Sequence, residues 1–232
     1  MPSTLFIRLI PILILVFVQC ELYSSPTYVY WDNIHLKQND QWYVKQSNRY
    51  AKIDFNNISI LFKDRCSKKE RDSILTELHC AVQRNLSRNE YQIKIASSTE
   101  YFYFLHQVTY NAFIERVSVR TAGNDRLIDS LVTEIRLRDK IFVKKNSEWY
   151  MSLAGQLYEI VRDKISLRFR KGIAEKQQES FISQNNLQLT GKSRLEIWDM
   201  RIPLQKHAVF YFVQLYQHPV LEFIEVNTKA NY

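Results

Sequence analysis

The sequence predicts an α+β protein, a long helix packed on an antiparallel meander, in a plan that recurs along the chain and so allows two tandem units. Three observations carry that expectation. Ser67-Lys68-Lys69-Glu70 is a capping box, and Ile74, Leu75, Leu78 and Val82 follow it on one helical face. The segments after this helix are rich in aromatic and β-branched residues, as strands are. The same order, helix and then three extended segments, returns after residue 123. Phe102-Tyr103-Phe104 and Phe113-Ile114-Glu115 are then echoed by Phe210-Tyr211-Phe212 and Phe223-Ile224-Glu225.

The elements follow in order. Arg8 precedes an unbroken apolar run, Leu9 to Val18, and Val18 and Cys20 stand where a leader peptidase reads small residues before Glu21. Ten apolar residues reach only about 15 Å as a helix, half of a hydrocarbon core of about 30 Å, so residues 1–20 read as a signal peptide rather than an anchor. Residues 21–50 are aromatic without a clean period. Residues 50–62 alternate loosely, as one strand or a broken pair. A helix over 68–86 comes next, then strands at 91–96, 101–108 and 112–120. Leu127, Ile128, Leu131, Val132 and Ile135 fit a helical face, as do Tyr150, Leu153, Ala154, Leu157 and Val161, with Ser147 as a cap. Residues 165–170 suit a strand or a helix continuation. Strands at 194–202, 208–217 and 220–227 close the chain. The expected organisation is a signal peptide at 1–20, a helix-plus-antiparallel-sheet unit at 21–122, and a helical stretch with a three-strand unit at 123–232, unless the last two form one continuous domain.

Composition excludes several classes. Only four glycines occur, Gly123, Gly155, Gly172 and Gly191, against roughly sixteen at ordinary usage. No two are close enough for a phosphate-cradling loop. There is no HExxH, CxxC or GxSxG. Lys and Arg number 32 against 24 Asp and Glu; without residues 1–20 the balance is 31 to 24, a net +7. Secretion agrees with two sequons, Asn57-Ile58-Ser59 and Asn85-Leu86-Ser87. Beyond residue 20 the cysteines are Cys66 and Cys80. An unbroken helix between them would hold their Cα atoms about 20 Å apart, beyond the roughly 7 Å a disulfide spans. They are expected as free or intermolecular thiols, with Cys80 off the apolar face and able to link a dimer.

Residues 50–121 resemble a cystatin. Tyr91-Gln92-Ile93-Lys94-Ile95-Ala96, then Ser97-Ser98-Thr99-Glu100 and Tyr101-Phe102-Tyr103-Phe104, are similar to that family's inhibitory hairpin and the strand after it, and Ala112 to Val117 to the next strand. The resemblance implies a helix lying across an antiparallel sheet, two tandem cystatin-like units if the plan repeats, and an inhibitory loop at Gln92, Ala96, Ser97 and Ser98. The family's loop carries glutamine, valine and glycine at alternate places. Here they are Gln92, Lys94 and Ala96, so two of the three differ.

Candidate chemistry is sparse. No two of His35, His79, His106, His207 and His218 stand at i,i+4 or i,i+2 spacing, so no metal and no cofactor is expected. His106 with Glu115, and His218 with Glu225, are the one acid–base pattern, as in a small secreted hydrolase or nuclease. Positive charge is concentrated in two windows that each net +4. One holds Arg136, Arg138, Lys140, Lys144 and Lys145; the other holds Arg162, Lys164, Arg168, Arg170 and Lys171. If they meet, they would attract an extracellular or lumenal protein, an acidic glycan or a lipid headgroup. Nucleic acid is the least expected partner, because no reader motif is present. The reading is a secreted, non-enzymatic glycoprotein acting as a protein- or anion-binding interaction module; the alternatives are a cysteine-protease inhibitor of cystatin type and the His/Glu hydrolase.

Overall fold

The computed structural model describes residues 27–30, 32–46, 49–119, 127–138 and 140–229; the expected signal peptide lies outside them. The long helix on a meander is not what forms. Of the described residues 45% are strand and 23% helix, and the four helices among them are short.

The first half holds β1 (Thr27–Val29), β2 (His35–Gln38), β3 (Gln41–Gln46), β4 (Arg49–Lys52), β5 (Ile58–Phe62), α1 (Lys68–Glu77), β6 (Ala81–Asn85), β7 (Glu90–Lys94), α2 (Ser98–Thr109) and β8 (Ile114–Val119). The second holds β9 (Val132–Leu137), β10 (Lys140–Lys145), β11 (Glu148–Leu153), β12 (Gln156–Phe169), α3 (Glu175–Gln184), β13 (Gln188–Lys192), β14 (Trp198–Arg201), α4 (Ala208–Leu215) and β15 (Leu221–Thr228).

One connectivity occurs twice. The run β5-α1-β6-β7-α2-β8 forms an antiparallel sheet in the order β8-β5-β7-β6, with β1 added outside β8. The run β12-α3-β13-β14-α4-β15 forms one in the order β15-β12-β14-β13. Both have the split β-α-β arrangement called ferredoxin-like. The echoed residues fall on matching elements, Phe102-Tyr103-Phe104 on α2 and Phe210-Tyr211-Phe212 on α4. Those elements are helices, so the strands expected at 101–108 and 208–217 are overturned. In α2 the buried residues are Tyr101, Phe102, Phe104, Leu105 and Val108, a helical stripe that the run of aromatics disguises.

The capping box at Ser67 and Glu70 forms: Ser67 Oγ accepts from Glu70 N at 3.3 Å, and Glu70 Oε2 accepts from Ser67 N at 2.7 Å. The helix then stops at Glu77, nine residues before its expected end at 86. His79 takes a positive φ of 52°, and the chain turns into edge strand β6. The helices expected over 127–135 and 150–164 are also overturned. Residues 129–131 make only a short 3₁₀ turn before β9, and 150–164 belongs to β11 and β12, joined at 154–155 by one of several two-residue hairpins.

Those hairpins use almost no glycine. Asn39 and Asp40 have φ of 49° and 59°, Asn146 and Ser147 have 50° and 69°, and Ala154 and Gly155 have 48° and 81°. Positive φ at both central residues defines the type I′ turn, which matches the twist of the strands it joins. Asn and Asp tolerate this conformation because their short polar side chains bond locally.

Strands from both halves share the central layer, ordered β4-β3-β2-β9-β10-β11-β12. Alternation along these strands sends neighbours to opposite faces. Leu36, Ile135 and Phe142 join the core around α4, whereas His35 and Trp42 face α2. Phe142 meets Phe212 of α4 with ring centroids 5.3 Å apart, and Trp42 meets Phe102 of α2 at 4.8 Å. The central sheet is thus clamped between the second helices of the two units.

Candidate functional site

The clefts of the second unit gather around the α4–β15 connection, which the fold places beside the β9–β10 turn and the end of β12. One cleft of about 380 Å³ is lined by Arg138, Lys140, Arg170, Tyr216, Glu222 and Glu225, among others. A second, of about 590 Å³, is lined by Arg168, Arg170, Lys171, Lys192, Trp198 and Glu222 together with the 172–173 turn. Arg170 and Glu222 belong to both, so the two run together as one furrow.

The charges in the furrow are unequally neutralised. Lys140 Nζ pairs with Glu225 at 2.8 Å, Arg168 with Glu222 at 2.6 Å, and Arg138 with Asp32 at 3.6 Å. Among the described residues Arg170 and Lys171 make no ion pair, and both are exposed. Six cations line the furrow against three carboxylates, the third being Glu196. Arg168 is further braced by Phe223, 5.0 Å below its guanidinium, while its Nε is buried without an acceptor. Lys192 rides on Trp198 at 4.5 Å. Aromatic faces carrying cations, beside cations without counter-ions, suit a ligand with anionic groups on a ring framework.

The ten cations of the two windows do not all meet. Arg138, Lys140, Arg168, Arg170 and Lys171 converge on the furrow. Arg136 turns to the opposite face of β9, where it pairs with Glu134 at 2.6 Å and stacks over Phe102 at 4.4 Å. Lys144 donates to Ser130 O at 2.9 Å and, with Arg162, acts on His207, whose pKa falls to about 4, chiefly through burial. Lys145 and Lys164 are exposed on β10 and β12. Lys192 was missed by sequence reasoning; its only signal was the short run Gly191-Lys192-Ser193-Arg194.

The other candidate sites change character. Ser97 is not in a hairpin loop but caps α2, its Oγ accepting from Glu100 N at 3.2 Å while Glu100 Oε2 accepts from Ala96 N at 3.1 Å. Ser98 is the first residue of that helix. Gln92 is buried in β7, donating to Asn57 Oδ1 at 2.6 Å and accepting from Arg84 Nε at 2.6 Å. The protruding hairpin that the cystatin resemblance requires does not form. His106 lies on α2 rather than on a strand, against Tyr110. Glu225 is engaged by Lys140, and His218 packs on Phe181 at 4.8 Å. Among the described residues no cluster of three or more His, Cys, Asp or Glu could hold a metal.

Both thiols are free. Cys66 is buried in the first unit's core and Cys80 packs against it, so Cys80 does not stand on the exposed flank that a continued helix would give it. Burial pushes the Cys80 thiol up to about 12, which suppresses the thiolate needed to form an intermolecular bridge.

Among the described residues no helix is long and apolar enough to cross a membrane. Comparison of the chain with protein-family models, curated proteins and solved structures finds no match to any of them.

Proposed function

We propose that the chain is a secreted, non-enzymatic interaction module that binds acidic glycans along the furrow of its second unit. One observation carries this: cations about thirty residues apart in sequence, Arg138 and Lys140 on one side and Arg168, Arg170 and Lys171 on the other, line clefts that share Arg170. Lys140 and Arg168 are held in place by carboxylates, and Arg170 and Lys171 are left to attract. Such a surface gains from several weak contacts at once, which favours a chain of anionic sugars over a single small anion. The leader-like Arg8 and Leu9–Val18 segment and the sequons support placing the module outside the cytosol.

Titration with size-defined sulfated oligosaccharides tests the reading. Affinity should rise with chain length, weaken as salt screens the contacts, and vanish for the desulfated sugar. Failure to bind at low ionic strength, or equal binding to anionic lipid vesicles, would overturn it.

A further inference from the structure

The two sequons look alike in sequence and stand in opposite surroundings. Asn57 is half-buried in the turn before β5. Its Nδ2, the atom a glycan would occupy, donates to Asp54 Oδ2 at 2.5 Å, and its Oδ1 accepts from the buried Gln92 at 2.6 Å. Gln92 in turn holds Arg84, so a sugar on Asn57 would take one of its two amide protons and crowd a four-residue polar cluster. Asn85 is the last residue of β6, exposed, and its side chain makes no hydrogen bond among the described residues.

Strand β6 is itself unusual. All five of its residues are exposed, and among the described residues it pairs on one side only, with β7. Val82 is 45% exposed on it. An open edge of this kind presents unpaired N–H and C=O groups to any other strand. Arg84 and the register shift between Val82 and Arg84 blunt it only in part.

We infer that Asn85, and not Asn57, carries an N-linked oligosaccharide, and that this sugar guards the β6 edge against pairing with another chain. The inference rests on the secretory reading but not on glycan binding by the furrow. The donor is a lipid-diphosphate-linked oligosaccharide. A bond forms between Asn85 Nδ2 and the sugar C1 as the C1–O bond to the diphosphate breaks. The lipid diphosphate leaves, and the amide loses one proton. Ser87 completes the sequon in the β6–β7 turn, where its Oγ accepts from Glu90 N at 3.2 Å.

The full chain is expressed in a secreting eukaryotic cell, with a foreign leader in place of residues 1–20 as the control for delivery. Peptide mapping after enzymatic release, which converts a modified Asn to Asp, should find the change at Asn85 and none at Asn57. Ser87→Ala should abolish it. Sedimentation of the folded, enzymatically deglycosylated protein should reveal concentration-dependent association, and Val82→Lys should restore the monomer. A delivered chain unmodified at Asn85, or modified at Asn57, overturns the site assignment. A deglycosylated chain that stays monomeric overturns the guarding role. Either result leaves binding by the furrow untouched.

Discussion

His35, one of the histidines without a ligand-like spacing, serves the fold. It is 1% exposed where β2 meets α2. Its Nδ1 donates to Asn33 O at 3.0 Å, and Nε2 accepts from Tyr101 Oη at 3.3 Å, so both ring nitrogens are used by the neutral form. Burial is the main reason its pKa falls to about 4; the nearby Arg136 acts in the same direction, and the Asn33 carbonyl opposes. In the unfolded chain the imidazole takes up a proton near its ordinary value of 6.5, whereas the folded chain refuses it down to about 4. Stability from this group is therefore complete above pH 6.5 and lost as pH falls through that window. Between pH 7 and pH 5 urea unfolding should show the wild type losing about 2 kcal/mol more than His35→Gln. Parallel losses in both proteins would mean that His35 is not held neutral by the fold. Arg71 is structural as well: it is 5% exposed and donates to Cys66 O, Asn89 Oδ1 and Tyr91 Oη, tying α1 to β7.

Strands and helices were legible in unequal measure. Capping chemistry at Ser67 and Glu70 gave the start of α1, and β-branched content gave β7, β8 and β15, because those signals are local. The same Ser-x-x-Glu signal stands at Ser97 and Glu100, where the aromatic run after it reads equally well as a strand; a short apolar segment does not reveal its period. Ser97→Ala should cost about 1 kcal/mol in chemical denaturation. Ser98→Ala, whose hydroxyl caps nothing, should cost little. Equal effects would contradict the cap and the helix it begins. The hairpins at 39–40, 146–147 and 154–155 were missed for a different reason. Only one of their six central residues is glycine, and Asn39, Asp40 and Asn146 supply half of the positive φ, so no glycine signal marks the turns. Without those turns, residues 150–164 look like one amphipathic helix. The charge windows were legible as composition. Which of their members meet was not, since strand alternation sends Arg136 to the α2 face and the β9–β10 turn brings Arg138 to the furrow.

At the scale of the molecule the central sheet couples two units that repeat one connectivity. Its two faces are buried against α2 and α4, and Lys45 on β3 donates to the Val213 carbonyl of α4. Unfolding should accordingly be a single transition by probes in either unit. Phe102→Ala, which empties a contact with Trp42 and His35, should lower it by about 3–5 kcal/mol for both probes together. Two separated transitions would show that the sheet does not couple the units. The furrow lies along the second unit and the β9–β10 end of the central sheet, and its exposed cations Arg170 and Lys171 can be altered without touching either core. Net charge alone would also draw this basic chain to a polyanion, and the measurement that separates the two is elution from a sulfated polysaccharide matrix in a salt gradient. Arg170→Glu with Lys171→Glu is compared with Lys68→Glu and Lys69→Glu, an equal charge change on the exposed first turn of α1. The furrow variant should elute at clearly lower salt, with about tenfold or weaker binding in solution, and the α1 variant close to wild type. Equal shifts in the two variants would contradict a furrow that binds, leaving only the attraction of overall charge.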